Sequence, residues 1–212
     1  MRNVGNVPKL RFPEFLGTGE WEETKLDNIG EFTGGGTPSK NNGAYWDGNI
    51  PWISSSDISD ESIYQVNISR FITEEALQES ATKIVPANSI LLVSRVGVGK
   101  LAITQNSVCT SQDFTNFTPI NDNLIFLAYL LKSGKNNLIS LNQGTSIRGF
   151  TKEDIINFKV SLPCIKEQQK IADCLTSIDK ASAAQSQAIE LLKLHKKGLR
   201  QQLFPSVEEV NG

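Results

Sequence analysis

Between Pro163 and Pro205 the chain carries no proline, and residues 167–203 within that interval predict one helix of 37 residues. At 1.5 Å per residue such a helix is about 55 Å long. Ile171, Ile178, Gln185, Leu192 and Leu199 recur every seven residues. Leu175, Ser182, Ile189, Lys196 and Leu203 follow each of them four residues later. This is a heptad seam with polar interruptions, weakened by about 1 kcal/mol at the interior Gly198. A domain of ~140 residues is only about 30 Å across, too short to cover the stripe. The helix therefore needs a second helix along Ile171, Leu175, Ile178, Gln185, Ile189, Leu192, Leu199 and Leu203. The alternative is a helical hairpin, broken near residues 182–187 and packed on its own domain.

Upstream, short apolar runs alternate with turn clusters, and the segment reads as mixed α and β without the regular alternation of a doubly wound sheet. Residues 1–20 form a Pro-punctuated arm, 21–163 the mixed domain, 164–205 the long helix and 206–212 a polar tail. Residues 24–31 suit a strand or a short helix. Residues 50–53 suit a strand, and 73–83 a helix capped by Thr73 with acids in its first turn. Residues 89–95 and 101–105 predict a hairpin around Gly97–Gly99. One or two strands should follow over 108–120. An apolar helix is expected from Leu124 to Leu131 or as far as Leu141, then a short helix capped by Thr151 and a closing strand at 158–162.

Composition excludes several chemistries. The single histidine, His195, lies in a helical stretch, and the three cysteines (Cys109, Cys164, Cys174) form no CxxC pair. No metal site and no catalytic triad is expected. In the string VSRVGVGK, Leu101 follows Lys100 where a phosphate loop needs Ser or Thr, so a tight turn is the better assignment. No apolar run approaches the ~20 residues of a membrane span. The cysteine usage and the lack of an apolar leader fit a reduced, cytoplasmic setting. Charge is uneven: residues 20–83 carry 4 basic and 12 acidic side chains, whereas 84–152 carry 6 basic and 2 acidic. Residues 166–204 carry 7 basic and 4 acidic. The two basic regions suit a nucleic-acid face or a plain solvated surface.

Specific motifs narrow this further. They include Gly35-Gly36-Thr37-Pro38-Ser39, Tyr45-Trp46-Asp47-Gly48-Asn49-Ile50-Pro51-Trp52, Gln143-Gly144-Thr145-Ser146-Ile147-Arg148 and Phe150-Thr151-Lys152-Glu153-Asp154-Ile155. Leu162-Pro163 leading to Glu167-Gln168, then Ile171-Ala172-Asp173, and finally Gln201-Gln202-Leu203-Phe204-Pro205 complete the order. In this order and spacing, from about Pro8 to Pro205, the chain resembles the DNA-specificity subunit of type I restriction–modification systems. It resembles one target-recognition domain plus one conserved helix, whereas members usually carry two such units. A free-standing half subunit, or one half of a longer protein, fits that count.

The resemblance implies a non-catalytic subunit of α+β class. Its mixed domain would read one half of a split site in double-stranded DNA, and its long helix would form an antiparallel coiled coil as a spacer. In a half subunit the coiled-coil partner is a second copy. S-adenosylmethionine and ATP belong, by the same resemblance, to the methyltransferase and restriction subunits, and no cofactor is expected on this chain. The competing possibilities are an independent enzyme and a coiled-coil scaffold or decoy that binds methyltransferase without reading DNA. Base reading needs donors and acceptors on groove-entering loops. The candidates are Thr37, Ser39 and Lys40; Ser54, Ser55, Ser56 and Asp57; Arg95; and Gln143, Thr145, Ser146 and Arg148. Thr37, Ser39 and Asp57 equally suit turn capping, and the 144–149 loop suits phosphate contact or packing. Trp46 and Trp52 suit core anchors better than stacking platforms.

Overall fold

Short strands rich in β-branched and aromatic residues, punctuated by Gly, Pro, Asn and Ser, build the first of two units, Met1–Gln169. The second is Lys170–Gly212. The computed structural model describes residues 6–140 and 149–204. In chain order the strands are β1 (Glu22–Lys25), β2 (Gly30–Gly34), β3 (Ile50–Ile53), β4 (Arg70–Ile72), β5 (Ile84–Val85) and β6 (Ser89–Leu92). They continue with β7 (Leu101–Thr104), β8 (Val108–Thr110), β9 (Thr115–Pro119) and β10 (Lys159–Leu162). The helices are α1 (Glu74–Glu79), α2 (Leu124–Ser133), α3 (Lys135–Ser140), α4 (Lys152–Ile156) and α5 (Ile165–Leu203).

Two four-stranded sheets, ordered β2-β9-β6-β7 and β4-β3-β8-β5, share the domain with a two-stranded sheet of β1 and β10. All pairings are antiparallel except β3 with β8, where Trp52 faces Cys109 and Ile53 faces Thr110. The two larger sheets bury one common core. Ile53, Val85 and Val108 of one sheet meet Leu91 and Ala102 of the other, with Ile58, Val93 and Phe114 closing the cluster. Trp52, Ile72, Ala76 and Cys109 form a second cluster under α1. Helix α2 buries Phe126, Leu127, Ala128 and Leu131 as its core-facing stripe. Burial pushes the Cys109 thiol pKa up.

Most expected elements are present, with informative shifts. Residues 24–31 form both a strand end and a single 3-10 turn, because Leu26 drops into the core with no exposed surface. Helix α1 is capped by Thr73, which accepts from Ala76 N at 3.2 Å, but it ends at Glu79 rather than Lys83. The chain must leave the helix there because Thr82 is buried and Ile84–Val85 pair with β8. The Gly97–Gly99 turn is a hairpin turn, and both glycines hold left-handed backbone angles (φ 87° and 81°).

Helix α5 begins at Ile165, two residues before the expected start. Its first turn belongs to the first unit because Glu167 and Gln168 are buried there (0% and 2% exposed). Arg11 of the N-terminal arm forks onto the Glu167 carboxylate, at 2.8 Å from Nε and 2.7 Å from Nη2. That contact raises the Arg11 pKa and ties the arm to the start of the helix. In the second unit α5 continues without a break through residues 182–187, so the hairpin alternative does not apply. Its 39 residues give a length of about 58 Å. Along the seam Ile178, Ile189, Leu192, Leu199 and Leu203 are exposed and Gln185 with them, while Ile171 and Leu175 are half-buried.

Candidate nucleic-acid interface

The parallel pair β3–β8 sets where the polar loops fall. Parallel strands end on the same edge, so the turn after β3 (Ser54–Asp57) and the turn after β8 (Ser111–Asp113) emerge side by side. Ser111 N donates to Ile53 O at 2.8 Å and holds them there. The glycine loop after β2 crosses the same edge, with Gly36 N donating to Thr110 O at 2.8 Å. A Cβ at Gly35 would lie 1.9 Å from the Ser111 carbonyl oxygen, so only glycine permits that approach.

The β6–β7 hairpin joins from the other sheet. Ser94 N donates to Asp113 O at 2.7 Å, and Phe150 N donates to Ser94 O at 3.1 Å. That second bond brings in the Gly149–Lys152 segment and the capping box of α4, in which Thr151 N reaches Asp154 Oδ2 at 2.8 Å. The β2 loop, the β8 turn, the hairpin tip and this segment enclose an open cleft of about 690 Å³. Gly34, Arg95, Gln112, Thr115, Thr151 and Lys152 are among its walls.

Of the expected contact residues, Arg95 lines this cleft and is exposed there. Ser39 and Lys40 are exposed further along the β2 loop, and neither they nor residues 54–57 are among its walls. Thr37 is half-buried and donates its hydroxyl to the Gln112 side-chain oxygen. Ser54 and Asp57 close a reciprocal cap on their own turn, and Ser56 Oγ lies 2.8 Å from Ser54 Oγ. Ser55 is half-buried and Ser56 exposed. Gln143, Thr145, Ser146 and Arg148 lie outside the described residues, between Ser140 and the rim residue Gly149. Trp52 is a core anchor, 3% exposed, donating Nε1 to Gly36 O at 2.9 Å. Trp46 is half-buried against it, edge-on with ring centroids 5.0 Å apart, and donates to Ser39 O at 3.1 Å.

The structure adds residues that periodicity and composition do not signal. Gln112 is an exposed amide on the rim, and Lys152 adds a cation beside Arg95. Arg70, the first residue of β4, donates to Ser54 Oγ at 2.6 Å and to the Asp57 carboxylate. Away from the cleft, Lys135 Nζ bonds both Asp60 oxygens at 2.8 and 2.7 Å. That bond, joined by the charges of Lys135, Lys100 and Lys132, holds the Asp60 carboxyl below its usual pKa. Among the described residues no group of His, Cys, Asp and Glu could hold a metal ion, and no helix is long and apolar enough to cross a membrane.

Hydroxyls, one amide and two cations, Arg95 and Lys152, on converging loops suit base edges and phosphates rather than a buried small molecule. A family model for the type I restriction modification DNA specificity domain matches residues 18–194. The chain belongs to this DNA-specificity family. The family is one of DNA recognition rather than catalysis. Among its relatives, the specificity subunit of the type I restriction enzyme MjaIX from Methanocaldococcus jannaschii is 34% identical over 182 residues, 84% of this chain and 40% of that protein. The EcoR124I/EcoR124II specificity subunit of Escherichia coli is 33% identical over 169 residues, 76% of this chain and 41% of that protein. The chain thus spans about two fifths of these curated relatives.

Solved structures show the same fold at low identity. The S subunit of a type I restriction–modification system from M. genitalium superposes with TM-score 0.63 at 18% identity, over 93% of this chain and 48% of that one. A chain from a structural study of type I system assembly and conformational transition gives TM-score 0.68 at 18% identity, over 95% and 47%. The mixed α+β domain followed by a long C-terminal helix is therefore the fold of type I specificity subunits.

Proposed function

We propose that this chain reads one half of a bipartite site in double-stranded DNA and directs methyltransferase and restriction subunits to it. The observation that carries this is the convergence of Thr37, Gln112, Arg95 and Lys152 on one rim through backbone bonds between four sequence-distant segments. Rigidly placed polar side chains on loops are what groove reading requires. The exposed seam of α5 supports a coiled coil with a second copy of the chain. A twofold dimer presents the same surface twice, so its target is an interrupted palindrome. With a helix of about 58 Å as spacer, half-sites would be separated by about one to one and a half DNA turns. On this proposal S-adenosylmethionine and ATP act on the partner subunits, and the complex works in the cytoplasm.

Mapping adenine methylation at base resolution in the source genome, with and without this gene, tests the proposal. Loss of one interrupted symmetric motif is expected. Loss of an asymmetric split motif would replace the homodimer by pairing with a different unit. Unchanged methylation would overturn the DNA-directing role and leave a scaffold.

A further inference from the structure

Gln112 stands at the second position of a tight turn, Ser111–Phe114, closed by Phe114 N donating to Ser111 O at 3.2 Å. The turn is held from several sides. Asp113 N donates to Ser111 Oγ at 3.3 Å, and Ser111 N is fixed on Ile53 O. Asp113 O accepts from Ser94 N at 2.7 Å and from Ser94 Oγ at 3.0 Å. Val93 pairs with Phe114 across an antiparallel bridge, and the same register carried two residues further sets Arg95 beside Gln112. Both residues line the cleft and both are exposed. The Gln112 side chain is oriented as well: its amide oxygen accepts from the hydroxyl of Thr37, half-buried on the glycine loop. Among the described residues neither hydrogen of the Gln112 amide nitrogen has a partner, and its amide oxygen keeps a second lone pair.

We infer that Gln112 is a base-reading residue of this interface, meeting the major-groove edge of an adenine, and that Thr37 is its positioning residue. This rests on the proposed DNA-reading role of the rim. Adenine presents a donor beside an acceptor in the major groove, N6–H and N7, and a primary amide answers with an acceptor beside a donor. The free lone pair of the Gln112 oxygen accepts from N6, and the unpartnered amide nitrogen donates to N7. A phosphate offers acceptors only, and so uses the nitrogen and leaves that lone pair idle. Glutamine is a long, flexible side chain that loses rotamer freedom when it orders on a base, and the Thr37 hydroxyl removes part of that freedom in advance.

The test compares the full-length chain with its Gln112→Ala, Gln112→Glu, Thr37→Val and Thr37→Ser variants, each assembled with the methyltransferase subunit, by selection from duplexes with randomised cores. The wild-type complex should select a motif, and Gln112→Ala should select the same motif with one A·T position degenerate. Discrimination at that position should fall roughly 5- to 150-fold, the range for one bidentate base contact. Gln112→Glu keeps the shape and the acceptor but has no donor for N7, and should lose adenine at the same position. Thr37→Val removes the hydroxyl and should weaken discrimination there and at no other position, whereas Thr37→Ser should retain it. An unchanged motif for Gln112→Ala, a degenerate G·C position, or a uniform loss of affinity over all sequences would overturn adenine reading by Gln112. Discrimination untouched by Thr37→Val would overturn the positioning role of Thr37. A wild-type complex that selects no motif would instead overturn the DNA-reading role on which the inference rests.

Discussion

Gln168 offers a quantitative check on how the recognition unit is fastened to the start of the long helix. Its buried side chain accepts from Asn123 N at 2.9 Å and donates to Asp122 Oδ1 at 2.7 Å and to Pro163 O at 3.1 Å. Asn123 is in turn the cap of α2, accepting from Phe126 N at 2.9 Å. Gln168→Glu keeps the shape and the acceptor for Asn123 N, but loses both donated bonds and places a carboxylate beside Asp122. Each buried group left unpaired costs about 1–3 kcal/mol, so the two together suggest about 3–5 kcal/mol at neutral pH with the added repulsion. For a unit of this size that is a fall in Tm of roughly 10 °C.

Burial and the charge of Asp122 both raise the folded-state pKa of the introduced carboxyl above its unfolded value of about 4.3. A raised folded pKa means the variant keeps its stability below the unfolded pKa and loses it as pH rises through the folded pKa. Protonated, the group can again donate one bond to Asp122. Urea unfolding of wild type and variant at several pH values should show a gap in midpoint that is wide at pH 7.5 and narrows towards pH 5, with m unchanged. A gap that stays constant over this range would refute the role assigned to the two donated bonds.

Two further outcomes follow from the seam and the rim. Leu192→Glu places a carboxylate at the centre of the proposed coiled coil, where an unpaired buried charge costs several kcal/mol. Sedimentation at micromolar concentration should then give a dimer for wild type and a single chain for the variant. Arg95→Ala should weaken DNA binding and lower the slope of log affinity against log salt by about one if Arg95 meets a phosphate. A slope that does not change, together with lost discrimination at one position, would assign Arg95 to a base.

Local signals carried the sequence a long way where the decisive interaction is itself local. Strand β3 has the expected bounds, the hairpin turns on its two left-handed glycines, and Thr73 and Thr151 cap the expected helices. The long helix was legible because heptad spacing and missing proline are properties of one segment. What stayed hidden depends on distant partners. Strands β4 and β5 have three and two residues, too few for alternation to register, and exist because β3 and β8 supply the ladder. Arg11 and Glu167 meet across 156 positions, and Arg70 reaches Asp57 across 13 through irregular chain. The rim follows the same rule: its loops were visible as Gly- and Ser-rich stretches, but the parallel β3–β8 pairing that aligns them was not. Gln112 therefore carries no local signal of its own, unlike its neighbours Thr37, in a Gly-rich loop, and Arg95, at a hairpin turn.

The pairing of β1 with β10 sets Glu22 directly opposite Leu162 and Lys25 opposite Lys159. Chain enters and leaves the mixed domain through these two adjacent strands, a narrow doorway, and the segment between them is also held to the start of α5 where Gln168 meets Asp122 and Asn123. Such a segment can be replaced by another with different loops, provided that two four-residue strands still zip together and that this contact is kept. Gene exchange at this doorway would alter which DNA is read while leaving the long helix, and whatever assembles on it, untouched.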